Sequence, residues 1–509
     1  MSGEIIGLAA GAIRRSRDRR RVQNFLADIE RQNQLGKNVV NYRPCPIECF
    51  LHSGRIENMV VSGNNDMLRY RLLRMAAWNS QAAGLGTVIL HFGNYNFAEI
   101  MASAFGGSGR FYSVSRSNPI YDPFVGLDRN EISRLMLSSS GTDYRIERVG
   151  NFYIQGLVEF LQLTGRPVCV DSLYNCLRDR SYEQVLDNSN STISDYAAQR
   201  INAAFAQGQM EAGNIEQYFE VLKHQGGGVL ASEYYSQNAI SIRRALERGG
   251  MIMIDLGGAI NSLLIDVVVQ EIKDAMSRGI RFSLITDSVP IESSRSLEQL
   301  YGTFSGACNY IYSSPDVYAS TQCSSSVFET LVSRAGSVFV LKHYSPNASR
   351  KFSEFFGMYE KIELSHTIAS GDTYATYGQI LPGSSVNNIY GTHNVRKPCV
   401  EENEITLQDI NHAFIKQNGT REIISVQIID VAATPQTPQA PPRSEPVRPT
   451  RRRQKRIRWW LFILLLFVCY PAAFIYSFCQ SGRKGKIISA ILFFLSLGVF
   501  IMTIASMYM

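Results

Sequence analysis

Short, continuously apolar runs punctuate the first 430 residues. They are NMVVSG (58–63), GTVILHF (86–92), RFYSVS (110–115), GMIMIDL (250–256), RFSLITD (281–287), NYIYSS (309–314), SVFVLKH (337–343), KIELS (361–365) and IISVQII (423–429). Runs of this length predict strands buried on both faces. The first is followed by the helical pattern DMLRYRLLRMAAWNSQ and the second by NFAEIMASAF. Buried strands alternating with helices predict a mainly parallel α/β sheet covered on both sides. Residues 151–247 break the pattern. They hold few strand candidates and many helix formers, with AAQRINAAFAQGQMEAGNIEQYFEVLKH at their centre. An all-helical insertion is expected there, with GGG at 226–228 as a break.

The pattern changes again at the end of the chain. Residues 431–450, VAATPQTPQAPPRSEPVRPT, are too polar and Pro-rich to build a core and predict an extended, semi-rigid linker. Two uncharged stretches follow, WWLFILLLFVCYPAAFIYSFC (459–479) and IISAILFFLSLGVFIMTIASMYM (487–509). Each is long enough to cross a hydrocarbon core of ~30 Å as a helix. A C-terminal transmembrane hairpin is expected. The basic run RRRQKRIR (451–458) before it places the bulk of the chain in the cytoplasm, at the cell membrane. Pro471 and the cations of the turn, Arg483, Lys484 and Lys486, leave a re-entrant first segment as the alternative to a two-pass hairpin. The expected layout is 1–40 a basic N-terminal helix, 41–150 and 248–430 two parts of one α/β domain around the insertion 151–247, 431–458 a linker, and 459–509 the membrane segments.

Charge follows this layout. The chain carries a formal +7, yet residues 434–509 alone hold eleven Lys/Arg against one acid, Glu445. The basic excess therefore suits anionic headgroups beside the membrane. The near-neutral body does not support a nucleic-acid partner, which needs clustered cations. A second cluster, Arg14, Arg15, Arg17, Arg19, Arg20 and Arg21, follows the apolar stretch IIGLAAGAI. Its charges lie on the wrong side for a signal peptide. It reads as a solvated surface helix or as one lying on a membrane or a partner. The nine cysteines form no metal or disulfide framework, and the histidines show no ligand spacing. IDLGGA (254–259) reads as a tight strand-to-helix connection, and GDTYATYGQILPGSS (371–385) as an exposed loop or edge-strand region. No GxSxG elbow occurs.

A strand that ends in glycine and feeds a helix is where an α/β protein cradles phosphates, with backbone N–H groups, a lysine and a metal-binding hydroxyl. MVVSG ending at Gly63 occupies that position. Counting GxxxxGK[ST] from Gly63 through Asn64, Asn65 and Asp66 puts Leu68 at the second glycine, Arg69 at the lysine and Tyr70 at the hydroxyl. Asp66 adds a negative charge and Leu68 adds bulk where phosphates would approach.

The order of elements resembles the nucleotide-binding domain of the type IV secretion coupling proteins, the TraG/TraD family among the FtsK/HerA-like P-loop ATPases. MVVSGNND…RYRLLRMAA matches its Walker A strand and helix, GTVILHFGNYNF its strand with Asp-Pro-Lys-Gly, and YDPFVGL (121–127) its Asn-Pro turn. IRFSLITDSVP (280–290) matches Walker B, with Asp287 in the metal-binding place and Ser288 where the catalytic Glu stands. IYSSPDVYAS (311–320) lacks the sensor Gln. FETLVSRAGSVFVLKHYSPNASRKFSEFFG (328–357) and VRKPCVEENEI (395–405) match later segments. The resemblance implies a P-loop-type sheet and a degenerate nucleotide site at Gly63, Asn64, Asn65, Arg69, Tyr70 and Asp287. The implied role is a membrane-anchored scaffold or docking component of a bacterial secretion or conjugation-type assembly, with protein partners, a homo-oligomer among them, and no cofactor. The rival reading is an active ATPase that uses ATP and Mg to drive DNA or protein translocation with an atypical loop.

Overall fold

A computed structural model describes residues 23–429, apart from 52–55, 141–144, 181, 184–192, 227, 258–262, 292–294, 304–307, 323 and 373–383. The expected linker and hairpin lie outside the described residues, among which no helix is long and apolar enough to cross a membrane.

Twelve strands are described, β1 (Val39–Asn41), β2 (Met59–Ser62), β3 (Gly86–His91), β4 (Phe111–Val114), β5 (Met251–Asp255), β6 (Phe282–Asp287), β7 (Cys308–Ser314), β8 (Ser337–Val340), β9 (Met358–Asp372), β10 (Ser384–Pro398), β11 (His412–Gln417) and β12 (Ile423–Gln427). Ten form one sheet in the order β1-β12-β11-β8-β2-β7-β6-β3-β5-β4. Every pairing from β8 to β4 is parallel; β11 alone runs against its neighbours. The mixed α/β architecture with a mostly parallel sheet is the one the apolar runs predict.

Side-chain alternation divides the sheet between two cores. Met59, Val61, Ile89, Met253, Ile285 and Phe339 face the helices α1 (Asp66–Ala82) and α2 (Tyr95–Phe105). Val60, Leu90, Ile254, Leu284, Tyr312 and Val340 face the other way. That second core runs on without interruption into the helices between β4 and β5. These are α3 (Arg129–Ser139), α4 (Gly150–Leu163), α5 (Val170–Asp179), α6 (Asp195–Gly208), α7 (Ala212–Gln225) and α8 (Ile242–Glu247). The same core takes in α9 (Leu263–Ser277). Gly156 of α4 lets Phe205 of α6 approach to within 3.0 Å of the position a Cβ would take.

Two expectations need correction. KIELS is not a strand of the main sheet. It lies inside β9, which pairs only with β10 in a separate antiparallel ribbon of fifteen residue pairs. Ile362 and Leu364 read as core positions, but their alternation with charge (Glu360, Lys361, Glu363) is the pattern of an antiparallel pair with one polar face. The sheet also gains β1 and β11, whose short or polar sequences, VVN and HAFIKQ, carry little apolar signal.

Candidate functional site

The carboxyl ends of β2, β7, β6 and β3 lie side by side at the edge of the sheet where α/β proteins place their ligands. Gly63 follows β2 directly, with a φ of +139°. A Cβ there would stand 2.5 Å from Leu341 Cβ, so only glycine fits where the segment after β8 passes. The loop then spends its donors and side chains on the protein. Gly63 N donates to Ser314 O at 3.2 Å and Asn64 N to Lys342 O at 2.8 Å. Asn64 Oδ1 accepts from Tyr344 N at 3.2 Å. Asn65 caps α1 by accepting from Leu68 N at 3.1 Å, and its amide donates to Ile410 O at 2.9 Å.

Arg69, in the first turn of α1, reaches over these strand ends and is 1% exposed. Its Nη1 donates to Asp287 Oδ1 at 2.5 Å and to Ser313 Oγ at 2.9 Å, while Nη2 donates to Asp66 Oδ1 at 2.7 Å. Asp287 is fully buried at the end of β6. Its carboxylate also accepts from Ser313 Oγ at 2.9 Å, from Asn94 Nδ2 at 2.6 Å and from Ser288 Oγ at 3.2 Å. Ser288 sits in the left-handed region, φ +56°, and its N–H donates to Ser313 O. Its hydroxyl turns back onto Asp287. Asn94 caps α2 and donates also to Tyr70 OH at 2.7 Å. Burial above all, with the nearby carboxylates of Asp287 and Asp66 adding to it, pushes the Tyr70 phenol up.

Beside this cluster, His91 pairs in register with both Asp255 and Asp287. Burial lowers its pKa, against the pull of the two carboxylates, and Nδ1 has no hydrogen-bond partner. Asp255 accepts from Gly93 N at 3.0 Å and Gly257 N at 2.9 Å, which makes IDLGGA a tie between two turns.

The six sequence-derived positions thus fall into two groups. Arg69, Tyr70 and Asp287 converge. Gly63, Asn64 and Asn65 fix the loop against the segments after β8 and before β11. Sequence reasoning missed Asn94 and Ser313. Asn94 carried a signal, an Asn at a strand-to-helix turn three residues before Phe97; a serine at a strand end carries none.

The side chains at the positions a nucleotide with Mg would use are engaged with one another. The guanidinium at the lysine position is already bound to the carboxylate that would hold the metal. Asp66, Arg69 and Asp287 together carry a net negative charge, and Leu68 stands where phosphate needs close backbone approach. Among the described residues no cluster of three or more His, Cys, Asp or Glu is arranged to hold a metal ion.

No protein-family profile and no curated protein sequence matches the chain. Solved structures do. The bacterial conjugative coupling protein TrwBdeltaN70, unbound monoclinic form, matches at 18% identity over 76% of this chain and 86% of that one, with a TM-score of 0.45. The plasmid coupling protein TrwB in complex with the non-hydrolysable GTP analogue GDPNP matches at 18% identity over 76% and 87%, TM-score 0.44. VirB4 of Thermoanaerobacter pseudethanolicus matches at 10% identity over 79% and 97%, TM-score 0.40.

Proposed function

We propose that this protein is a membrane-anchored, coupling-protein-like scaffold, a docking component of a bacterial secretion or conjugation-type assembly, whose nucleotide position has become a structural lock. The observation that carries the reading is the Arg69–Asp287 pair, 2.5 Å long and with side chains 1% and 0% exposed. Removing one partner of such a pair costs ~3–5 kcal/mol, so the site holds its own cation and has no cause to release it for a metal. The resemblance in element order supplies the assembly, and the apolar segments 459–479 and 487–509 supply the anchor. With the chemistry gone, binding of protein partners is the role that remains.

Calorimetric titration of the detergent-solubilised full chain with ATP and Mg tests the proposal. No saturable heat is expected, and no hydrolysis above background. Sub-micromolar affinity, or turnover that disappears in a folded Asp287→Asn variant, overturns it in favour of an active ATPase with an atypical loop.

A further inference from the structure

The chain just past β1 brings two free thiols together. Cys45 is 2% exposed and is held by two backbone bonds. Its N–H donates to Gln427 O at 3.3 Å, and its carbonyl accepts from Ile429 N at 3.3 Å. A single 3-10 turn follows, Ile47–Phe50, in which Cys49 N donates to Pro46 O at 3.2 Å. This turn returns the half-buried Cys49 to Cys45, whose S–H donates to the Cys49 sulfur. Burial raises both thiols, Cys45 up to about 12, while the bond from Cys45 pulls Cys49 the other way. Glu48, on the same turn, holds Arg71 of α1 through two bonds of 2.9 and 2.8 Å.

We propose that Cys45 and Cys49 are a reversible redox site, which a low-molecular-weight disulfide such as glutathione disulfide closes into an intramolecular disulfide. Cys49 is the entry point, because it is the more exposed sulfur and the one that accepts. Its thiolate attacks one sulfur of glutathione disulfide, and a glutathione thiolate leaves. Cys45 then loses its proton to water, attacks the Cys49 sulfur and expels the second glutathione thiolate. The two protein thiols give up two electrons and two protons, and one glutathione disulfide becomes two glutathione thiols. Thiols in contact need none of the backbone movement that widely spaced cysteines require. As a zinc site the pair is two ligands short, and among the described residues no further ligand is placed to complete it. The closed bond would lock a turn that touches α1, through Glu48, and the chain just past β12. The inference stands apart from the scaffold reading and does not depend on it.

The test uses the folded, detergent-solubilised full chain, equilibrated with glutathione disulfide, quenched in acid, alkylated and read by peptide mass spectrometry. Trypsin, which does not cut ahead of Pro44, leaves both cysteines in the peptide 38–55. That peptide is expected two hydrogens lighter and unalkylated, and dithiothreitol should restore two alkylatable thiols. Cys45→Ser should trap glutathione on Cys49. In Cys49→Ser, Cys45 should take up glutathione ~10-fold or more slowly than Cys49 does. The ratio of intramolecular to mixed disulfide should fall ~10-fold or more in concentrated urea, where the thiols lose their contact. Two alkylatable thiols persisting in the folded chain overturn the inference, as does a bond from either residue to another cysteine or to a second chain. An unchanged ratio in urea would remove the part assigned to the fold, and glutathione taken up as fast by Cys45 as by Cys49 would remove the assigned order.

Discussion

A guanidinium placed where a phosphate-binding lysine is expected, and turned onto the carboxylate expected to hold a metal, satisfies two charges that would otherwise be buried alone. Arg69 and Asp287 are worth little as a pair compared with apolar side chains of the same shape, yet each is costly once its partner is gone. Arg69→Ala should therefore lower unfolding free energy by ~3–5 kcal/mol in urea titration. Arg69→Met combined with Asp287→Asn should lose clearly less than the sum of the single changes. Additive losses would show that the two side chains do not act as a unit. Gly63 offers a second residue-scale test. Gly63→Ala combines a left-handed φ of +139° with a Cβ placed 2.5 Å from Leu341 Cβ, and should cost roughly 2–4 kcal/mol. Gly84→Ala, at φ +69° but with open space around it, should cost only about 1 kcal/mol. Equal losses at the two positions would remove the steric argument.

At the scale of elements, the turn 121–124 clasps the helical region to the sheet. Asp122 is fully buried and accepts from Phe124 N at 2.9 Å and from Val170 N, at the start of α5, at 3.0 Å. Tyr121 OH donates to Glu271 of α9 at 2.8 Å, and Arg243 N of α8 donates to the same carboxyl at 3.0 Å. Burial is the main cause that pushes Glu271 up to about 8 and Asp122 up to about 7, and the Asp122 carboxylate adds to the rise at Glu271. The Arg243 guanidinium turns away to Glu131 and Glu247 and so does not offset them. Tyr218, the other titratable group near Tyr121, is itself buried with its phenol pushed up. Both carboxyls hold their protons more tightly folded than unfolded. Stability should then fall as pH rises from about 4.5 towards 8, and stay lower above it. Glu271→Gln keeps the shape and the acceptor for Arg243 N, with its amide NH2 donating to the Tyr121 oxygen in place of accepting from it, and should flatten that slope in chemical denaturation followed across pH. An unchanged slope would place the dependence elsewhere.

For the whole molecule, the parallel sheet, its two cores and the helical region belong to one unit, Met1–Arg443. A linker of Pro, Gln and Ala separates it in sequence from the apolar segments. The basic run 451–458 ahead of those segments predicts that the body faces the cytoplasm. A reporter fused at residue 440 should be protected from external protease in intact cells and digested after the inner membrane is opened. Digestion in intact cells would reverse the orientation. The continuous core also bears on how partner binding can be probed. Cutting out 175–245 would divide α5 and strip α4 of the Phe205 contact, so surface substitutions on α6 and α7 are the better probe.

The sequence by itself determined the elements that are apolar on both faces. β2, β3, β5, β6 and β8 lie within the runs that predict them and β7 begins one residue before its run, because a strand buried between two helical layers cannot hide its composition. It also located the slot, since Gly63 is required by backbone geometry and Asp287 closes an apolar strand. Other features only the tertiary structure decided. β1 and β11 exist because neighbours supply their hydrogen bonds, and β9 left the main sheet for a partner twelve residues further along the chain. Above all, Arg69 reads in sequence as an imperfect lysine. That its charge is spent on Asp287, 218 residues away, and that Asn94 and Ser313 complete the shell, follows from which strand edges lie side by side. Strand order is a long-range choice, and no local pattern records it.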